Sequence, residues 1–401
     1  MQYRTDPKTG NQLSALGFGC MRFPGSADKT AALIASAVER GVNYFDTAYI
    51  YGGSELALGQ VFKKYPGLRE KIYLATKLPW FMAKTPADLD KLFDTSLERM
   101  GTDRVDYYLI HNLTRPGEWE GMRALGIEDW IEKKKAAGQI GRIGFSYHGN
   151  QGDFMQLLEM YPWDFVQIQY NYSDENYQAG RAGLKKAAEL GLPVIIMEPL
   201  LGGKLATGLP KKAGALLERA TPKRSAAAWA LRWLWDQPEV TVVLSGMNAM
   251  EQLDENIEIA ATAAPGCLSR EEHDLYPQLT ATFREAFKIP CTGCNYCLPC
   301  PKKVNIPGCF AAYNASYAVG LFTGFQQYTT SSNVSLSAKD NGSARNCSGC
   351  GKCARHCPQN IDIPAQLKRV ARRLEPAPMR WGARIHTKMH GIKFLDKFAK
   401  M

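Results

Sequence analysis

Eight apolar strand signals that alternate with helical stretches from residue 14 to about residue 264 predict a parallel (β/α)8 TIM barrel. A cysteine-dense stretch behind it predicts a smaller, mainly helical, ferredoxin-like [4Fe-4S] domain. Strand count, a length near the ~250 residues usual for such barrels, and glycines placed just after helical stretches carry the first expectation. Cysteine spacing carries the second.

The strand signals are Leu16 to Met21, Val42 to Thr47, Ile72 to Lys77, Val105 to His111, Ile140 to Ser146, Phe165 to Tyr170, Val194 to Glu198 and Val240 to Ser245. Between them lie helical stretches at Thr30 to Arg40, Leu89 to Met100, Asp129 to Ala137, Gly183 to Leu190, Ser225 to Trp235 and Met250 to Ala261. Gly41, Gly101, Gly138 and Gly191 stand where four of these should stop. The expected boundaries are a barrel over 1–285, a dicluster domain over 286–375 and a basic tail over 376–401.

A chain of 401 residues that is 45% hydrophobic and 22% charged is long enough for one large core and a second, smaller one. No run of about twenty apolar residues occurs and the amino terminus has no apolar signal core, so a soluble, cytoplasmic protein without a membrane span is expected. Of 11 cysteines, nine fall between Cys291 and Cys357, which suits metal binding in a reducing compartment better than a disulfide framework.

In a barrel of this kind the active site forms at the carboxyl ends of the strands. Asp46, Lys77 and His111 all fall at such ends, with Tyr51 just beyond the first and Ser54 reading as the N-cap of the following helix. A phenol with pKa about 10 is a poor acid at neutral pH unless a cation lowers that value, and a carboxylate can hold the cation in place.

In this order and at these strand ends, Asp46, Tyr51, Lys77 and His111 resemble the catalytic tetrad of the aldo/keto reductases. The resemblance runs from Leu16-Gly-Phe-Gly-Cys-Met21-Arg22 to Ser245-Gly246 and Gln252 to Asn256, roughly the first two thirds of the chain. It implies Tyr51 as general acid toward a carbonyl oxygen, Lys77 as the group that lowers its pKa, Asp46 as the anchor of Lys77, and His111 as the group that orients the carbonyl. A histidine at 111, where relatives that reduce carbon-carbon double bonds often carry an acid, favours carbonyl or alcohol chemistry.

On the coenzyme side the resemblance implies Met21, Ser146, Gln167, Leu200, Gly202, Gly203, Gly246, Gln252 and Asn256. Ser146 and Gln167 match contacts to the nicotinamide amide, and Glu198-Pro-Leu-Leu-Gly-Gly-Lys204 resembles the loop over the pyrophosphate, whose glycines let backbone approach phosphate. Gly246 and the helix start behind it suit an anion, and Gln252 and Asn256 share one helical face. Two departures stand out: Ser146-Tyr147-His148 replaces the Ser-Asn pair of many members, and residues 245 to 256 contain no arginine or lysine for the extra phosphate of NADPH. NADH, a phosphate contact from elsewhere such as Lys204, or a different cofactor such as a flavin all remain open.

Cys291, Cys294, Cys297 and Cys300 precede Pro301, and Cys347, Cys350, Cys353 and Cys357 precede Pro358. The second run resembles the bacterial ferredoxin pattern, in which the last cysteine ligates the other cluster. Carried over, Cys291, Cys294, Cys297 and Cys357 hold one [4Fe-4S] cluster and Cys347, Cys350, Cys353 and Cys300 the other. The first run is one residue shorter before its last cysteine. Four thiolates also suit zinc, but zinc usually draws on two separated pairs. Cys300-Pro-Lys-Lys-Val-Asn-Ile306-Pro307 and Cys357-Pro-Gln-Asn-Ile-Asp-Ile363-Pro364 are one unit twice over, with a helical stretch at Phe310 to Ala318 between them. Cys309 is spare, and Cys20 and Cys267 are expected to pack.

Residues 328 to 343 read as a surface loop, and the tail from Lys368 to Lys400 accounts for much of the formal +10. Without regularly interleaved aromatics the tail does not argue for nucleic acid, whereas it suits an acidic ferredoxin- or flavodoxin-like carrier. The whole chain looks like the iron-sulfur branch of the aldo/keto reductases. Three function classes follow: a nicotinamide-dependent carbonyl reductase, a ferredoxin-linked reductase whose clusters feed a flavin in the barrel, and an electron-transfer partner whose barrel is a retained scaffold; the four tetrad matches favour the first. Trp80, Phe81 and Trp119 in the loops after the strands point to an apolar or ring-bearing small-molecule carbonyl substrate.

Overall fold

The computed structural model describes residues 1–332 and 342–375. These form two compact units, one of residues 1–201 and 224–273, the other of residues 202–223 and those from 274 onward. The units do not follow the linear order of the chain: a segment that leaves the seventh barrel strand belongs to the cysteine-rich unit.

In the first unit an antiparallel hairpin, β1 (Tyr3–Thr5) and β2 (Gln12–Ser14), precedes a closed barrel. Its parallel strands are β3 (Leu16–Gly19), β4 (Tyr44–Asp46), β5 (Tyr73–Leu78), β6 (Val105–Leu113), β7 (Ile140–Tyr147), β8 (Phe165–Gln169), β9 (Val194–Met197) and β10 (Val240–Ser245), with β10 bonded back to β3. Each barrel strand lies on one of the eight sequence signals. The hairpin was not foreseen, because three-residue strands are too short to display alternation.

Helices α1 (Ala27–Glu39), α2 (Ser54–Lys64), α3 (Pro86–Met100), α4 (Pro116–Ala124), α5 (Ile127–Ala136), α6 (Gln151–Met160) and α7 (Gly180–Glu189) follow the first six barrel strands. After β9 come α8 (Lys211–Arg219), in the second unit, and α9 (Ala226–Trp235); α10 (Met250–Ala261) follows β10. The expected stops at Gly41, Gly101, Gly138 and Gly191 all have positive φ, between 62° and 91°. Helix α4 escaped the sequence reading because Gly117 and Gly121 weaken its helical signal. Ser54 is not the N-cap of α2: Gly53, with φ 90°, takes that place and Ser54 opens the helix.

Period-two alternation explains how the barrel positions its site. Tyr44, Ala75, Tyr107, Leu109, Phe165, Ile195, Val242 and Leu244 form the core inside the barrel, joined by Leu13 of β2. Two residues further along four of these strands stand Asp46, Lys77, His111 and Gln167, all buried. The lower layer is therefore apolar and the next layer toward the carboxyl ends is polar. The hairpin seals the amino ends: the Tyr107 hydroxyl donates to Asp6 Oδ2 at 3.0 Å.

The second unit is mainly helical, with α8, the later part of α11 (Arg270–Ala286), α12 (Ile306–Ala318), α13 (Leu321–Ser331) and α14 (Ile363–Leu374). Its core joins Ile289, Val304, Ile306, Phe310, Tyr328, Leu367, Val370 and Leu374, and six of the cysteines pack against it. Residues 328 to 331 belong to α13 rather than to the expected loop, since that helix carries on past Tyr328, which is buried. The rest of that loop from 333 to 341, and the expected tail 376–401, lie outside the described residues. No helix among the described residues is long and apolar enough to cross a membrane.

Candidate active site and candidate metal centre

In the barrel, Lys77 Nζ donates to Asp46 Oδ1 at 2.6 Å and to the Thr47 carbonyl at 2.7 Å. The other carboxylate oxygen, Asp46 Oδ2, accepts from Gln167 Nε2 at 2.8 Å. The ammonium lies 5.0 Å from the Tyr51 ring centroid, and the Tyr51 and His111 rings meet edge to face at 5.9 Å and 83°. Asp46, Tyr51, Lys77 and His111 are thus brought together around the ends of β4, β5 and β6.

Burial lowers the Lys77 pKa while Asp46 works against that shift. Burial, helped by Lys77 and His148, holds His111 well below the ordinary imidazole range. His148, one residue past β7, donates its backbone N–H to the Leu113 carbonyl at 3.2 Å. Its Nδ1 lies 3.2 Å from Gln178 Oε1, and burial takes its pKa down to about 4. Both imidazoles are therefore neutral near pH 7, and each N–H is a donor without charge.

The local backbone explains the placement of His111. The β6–β7 register slips between Ile110 and Leu113, and Asn112 has φ 59° with its N–H on Ser146 Oγ at 2.8 Å. A bulge of this kind re-aims the side chain beside it. Several supporting groups went unnoticed in the sequence. Glu55, buried in α2, accepts from Thr76 Oγ1 at 2.7 Å and Arg99 at 3.1 Å, and Ser54 Oγ ties Thr47 to the Cys20 carbonyl at 2.7 Å each. Cys20 is fully buried and its thiol is held well above the ordinary range, which leaves it a packing residue.

The residues implied for the coenzyme divide. Met21 and Leu200 are half-buried in the first unit. Ser146 accepts from Asn112, and Gln167 donates to Asp46. Gln252 Oε1 accepts from the Asn248 N–H at 2.9 Å, and Asn256 Nδ2 donates to Ser245 Oγ at 2.9 Å, so both fix the start of α10 and the end of β10. A Cβ at Gly246 would find its nearest neighbour, Gly19 O, at 3.8 Å, which leaves an open cradle. Gly202 and Gly203 belong to the second unit, where Gly202 packs on the Thr292 carbonyl. Trp119 is completely buried, edge to face with Tyr161 and tilted against Trp163, so it packs α4 instead of lining a substrate site.

In the second unit Cys291, Cys294, Cys297 and Cys357 line one cavity with Ile306, Phe310 and Ile363. The Cys297 thiol is pushed up to about 12 by burial and then by the neighbouring thiols of Cys291, Cys294 and Cys357. Cys353 is raised by burial and faces Cys300 and Cys347, while Cys350 is exposed. The backbone repeats between the two runs. Gly293 and Asn295 match Gly349 and Gly351 at positive φ, Lys303 matches Asn360, and the N-caps Asn305 and Asp362 accept from Gly308 and Ala365 at 3.2 Å each. Loops that alternate handedness turn successive N–H groups to one side, a concavity suited to anionic iron-sulfur centres. Among the described residues no three Cys, His, Asp or Glu converge as a single metal ion requires.

Comparisons with known proteins divide the chain linearly, with residues 202–223 inside the first match. The profile of the Aldo/keto reductase family matches residues 15–265, and that of the 4Fe-4S dicluster domain matches residues 290–361. The uncharacterized oxidoreductase YrpG of Bacillus subtilis is 26% identical over 319 residues, covering 69% of this chain and 96% of its own. The L-glyceraldehyde 3-phosphate reductase of Escherichia coli is 26% identical over 304 residues, 64% of this chain and 87% of its own. Among solved structures, the holo form of aldo-keto reductase AKR11C1 from Bacillus halodurans superposes with a TM-score of 0.59 at 25% identity, over 70% of this chain and 96% of that one.

Proposed function

Because this chain belongs to the aldo/keto reductase family, we propose that its barrel interconverts a carbonyl and an alcohol at Tyr51, with NAD(H) or NADP(H) as coenzyme. The observation that carries this reading is the Lys77 ammonium, buried on Asp46 and 5.0 Å from the Tyr51 ring. In the reducing direction the Tyr51 hydroxyl gives its proton to the carbonyl oxygen, and Lys77 stabilises the phenolate left behind. Asp46 and the Thr47 carbonyl fix the ammonium, and Gln167 keeps Asp46 from turning. His111, neutral, orients the carbonyl by a hydrogen bond from its ring N–H.

A bound reduced coenzyme supplies the hydride. The donor set at its amide end fits. Ser146 uses its oxygen as acceptor for Asn112 and so retains a hydroxyl proton to donate, while Gln167 uses its N–H on Asp46 and retains a carbonyl to accept. A carboxamide needs one of each. Gly246 and the start of α10 suit the phosphates. Changing Tyr51 to Phe in the purified holoprotein should lower carbonyl-dependent coenzyme oxidation by about 10²–10⁴-fold, and undiminished turnover would rule the reading out.

We further propose that Cys291, Cys294, Cys297 and Cys357 hold one [4Fe-4S] cluster and Cys300, Cys347, Cys350 and Cys353 the other, in a module over 286–375 that exchanges single electrons with a ferredoxin- or flavodoxin-like carrier. A second reading is favoured by one observation: residues 245 to 256 contain no cation, and Lys204 is bonded to Cys291 within the second unit. In that reading a flavin occupies the barrel and the clusters supply its electrons. A preparation free of flavin and indifferent to reduced ferredoxin excludes it.

A further inference from the structure

We propose that the face of the second unit around Cys347 and Cys350 is the docking surface for an acidic one-electron carrier protein. This rests on the reading of the cysteine-rich unit as an electron-transfer module, and it names where the partner binds.

Cys347 opens into a hollow of about 350 Å³ whose rim includes Arg345, Lys368 and Arg372, with Ser348 and Gly349. Lys368 and Arg372 are four apart on α14 and so share one face, while Ile363, Leu367, Val370 and Leu374 on its other side are buried in the core. The Arg345 side chain is fixed by Glu375, Nε to Oε2 at 2.9 Å, and by its Nη2 on the Glu375 carbonyl at 2.9 Å. Glu375 itself is buried, whereas the Arg345 side chain keeps 41% of its surface exposed. Lys352 lies two residues beyond the exposed Cys350, and Arg355 follows, also exposed.

Opposing charge is scarce. Between residues 290 and 375 the exposed carboxylate among the described residues is Asp362, which is engaged in capping α14 through the Ala365 N–H. The other cysteine group differs: the cavity of Cys291, Cys294, Cys297 and Cys357 is walled by Ile306, Phe310, Ile361 and Ile363. One cysteine group is thus walled largely by apolar side chains and the other is rimmed by cations. Complementary charge of this kind accelerates encounter and orients the partner. Residues 376–401 are themselves basic in sequence and so do not supply the complementary charge. Among the described residues the rim carries no aromatic platform on which nucleic-acid bases would stack. In the exchange the carrier gives up one electron and the cluster of Cys347 and Cys350 takes it, with no bond formed or broken.

The test uses anaerobically prepared full-length holoprotein mixed by stopped flow with chemically reduced acidic ferredoxin, the bleaching of the cluster absorbance being followed across a salt series. Lys368→Glu/Arg372→Glu should slow the second-order rate at least tenfold at low salt and flatten its salt dependence. Lys133→Glu/Lys185→Glu, the same charge change on exposed barrel positions, should leave the rate near wild type. Photoreduction with neutral deazaflavin should proceed alike in all three proteins. An unchanged ferredoxin rate in the α14 variant, or an equal loss in the barrel variant, overturns the docking surface while leaving the electron-transfer reading intact. Clusters that accept electrons from neither ferredoxin nor deazaflavin overturn that reading first, and the docking surface with it. A duplex oligonucleotide that binds the wild type more tightly than ferredoxin does, and loses affinity in the α14 variant, overturns the proposal in favour of nucleic acid.

Discussion

Lys204 donates a hydrogen bond through Nζ to the backbone carbonyl of Cys291. The same ammonium lies 5.2 Å from the Phe287 ring centroid, and the neighbouring Gly202 presses on the Thr292 carbonyl. The Gly-Gly-Lys turn after β9, whose sequence suits a phosphate, is therefore packed into the unit that carries the cysteines. Its positive charge sits beside the first cysteine run, and a cation near a cluster favours the reduced state. Lys204→Met should lower the midpoint potential of one cluster and leave the other unmoved, as read by an EPR-monitored redox titration. An unshifted pair of potentials would show that solvent screens the ammonium. Gly202→Ala should cost more: φ +65° penalises alanine by about 1–2 kcal/mol, and its Cβ would stand 2.3 Å from Thr292 O. Reduced iron content per chain is the expected result.

The cavity grouping makes a prediction about which cysteines act together. Cys357 lies 66 residues beyond Cys291 in the chain, yet lines the same cavity. Cys357→Ala and Cys291→Ala should abolish the same EPR signal, while Cys347→Ala abolishes the other. If Cys357→Ala instead removes the signal that Cys347→Ala removes, each run holds its own cluster and the exchange of last ligands is wrong.

Asp46 carries a prediction about stability. Its side chain is 5% exposed and that of its partner Lys77 is 1% exposed, so removing the carboxylate charge leaves a buried ammonium with carbonyl partners alone. Breaking one side of such a pair destabilises a protein by about 3–5 kcal/mol. Asp46→Asn should lower the urea midpoint accordingly and reduce turnover as Lys77 loses its anchor. Asp46→Glu should recover part of the stability. A variant as stable as wild type would mean that Lys77 sheds its proton at little cost.

Much of this was legible in the sequence because it depends on local periodicity. The eight barrel strands were visible as apolar runs, and Asp46, Lys77 and His111 as polar residues that end them, two positions past Tyr44, Ala75 and Leu109. The repeated Cys-Pro unit was visible as a duplication, and the backbone repeats with it, Lys303 and Asn360 both at positive φ. Other features depend on tertiary contact and left no local trace. The bulge that turns His111 is set by the β6–β7 register, and Trp119 reads as a loop aromatic until Tyr161 and Trp163 close over it. The commitment of Lys204 to Cys291 joins residues 87 apart, beyond the reach of any motif.

The imidazole of His148 yields the last prediction, one of pH. Its folded pKa of about 4 lies below the ordinary 6.5, because burial and the nearby Lys77 disfavour its protonated form although Gln178 supports it. The unfolded chain takes up a proton at this residue below about pH 6.5 and the folded chain does not until about pH 4. Its contribution is thus to destabilise the fold as pH falls through that window, with no effect above it. His148→Asn keeps a side chain able to donate to Gln178 and cannot titrate, so the urea midpoint should fall less steeply between pH 6.5 and 4, by about one proton in the linkage slope. His111 stays in place in both proteins, and losing the part of its depression that His148 supplies flattens the acid limb in the same direction. Parallel acid limbs for the two proteins would show that the folded protein already admits the His148 proton near pH 6.5.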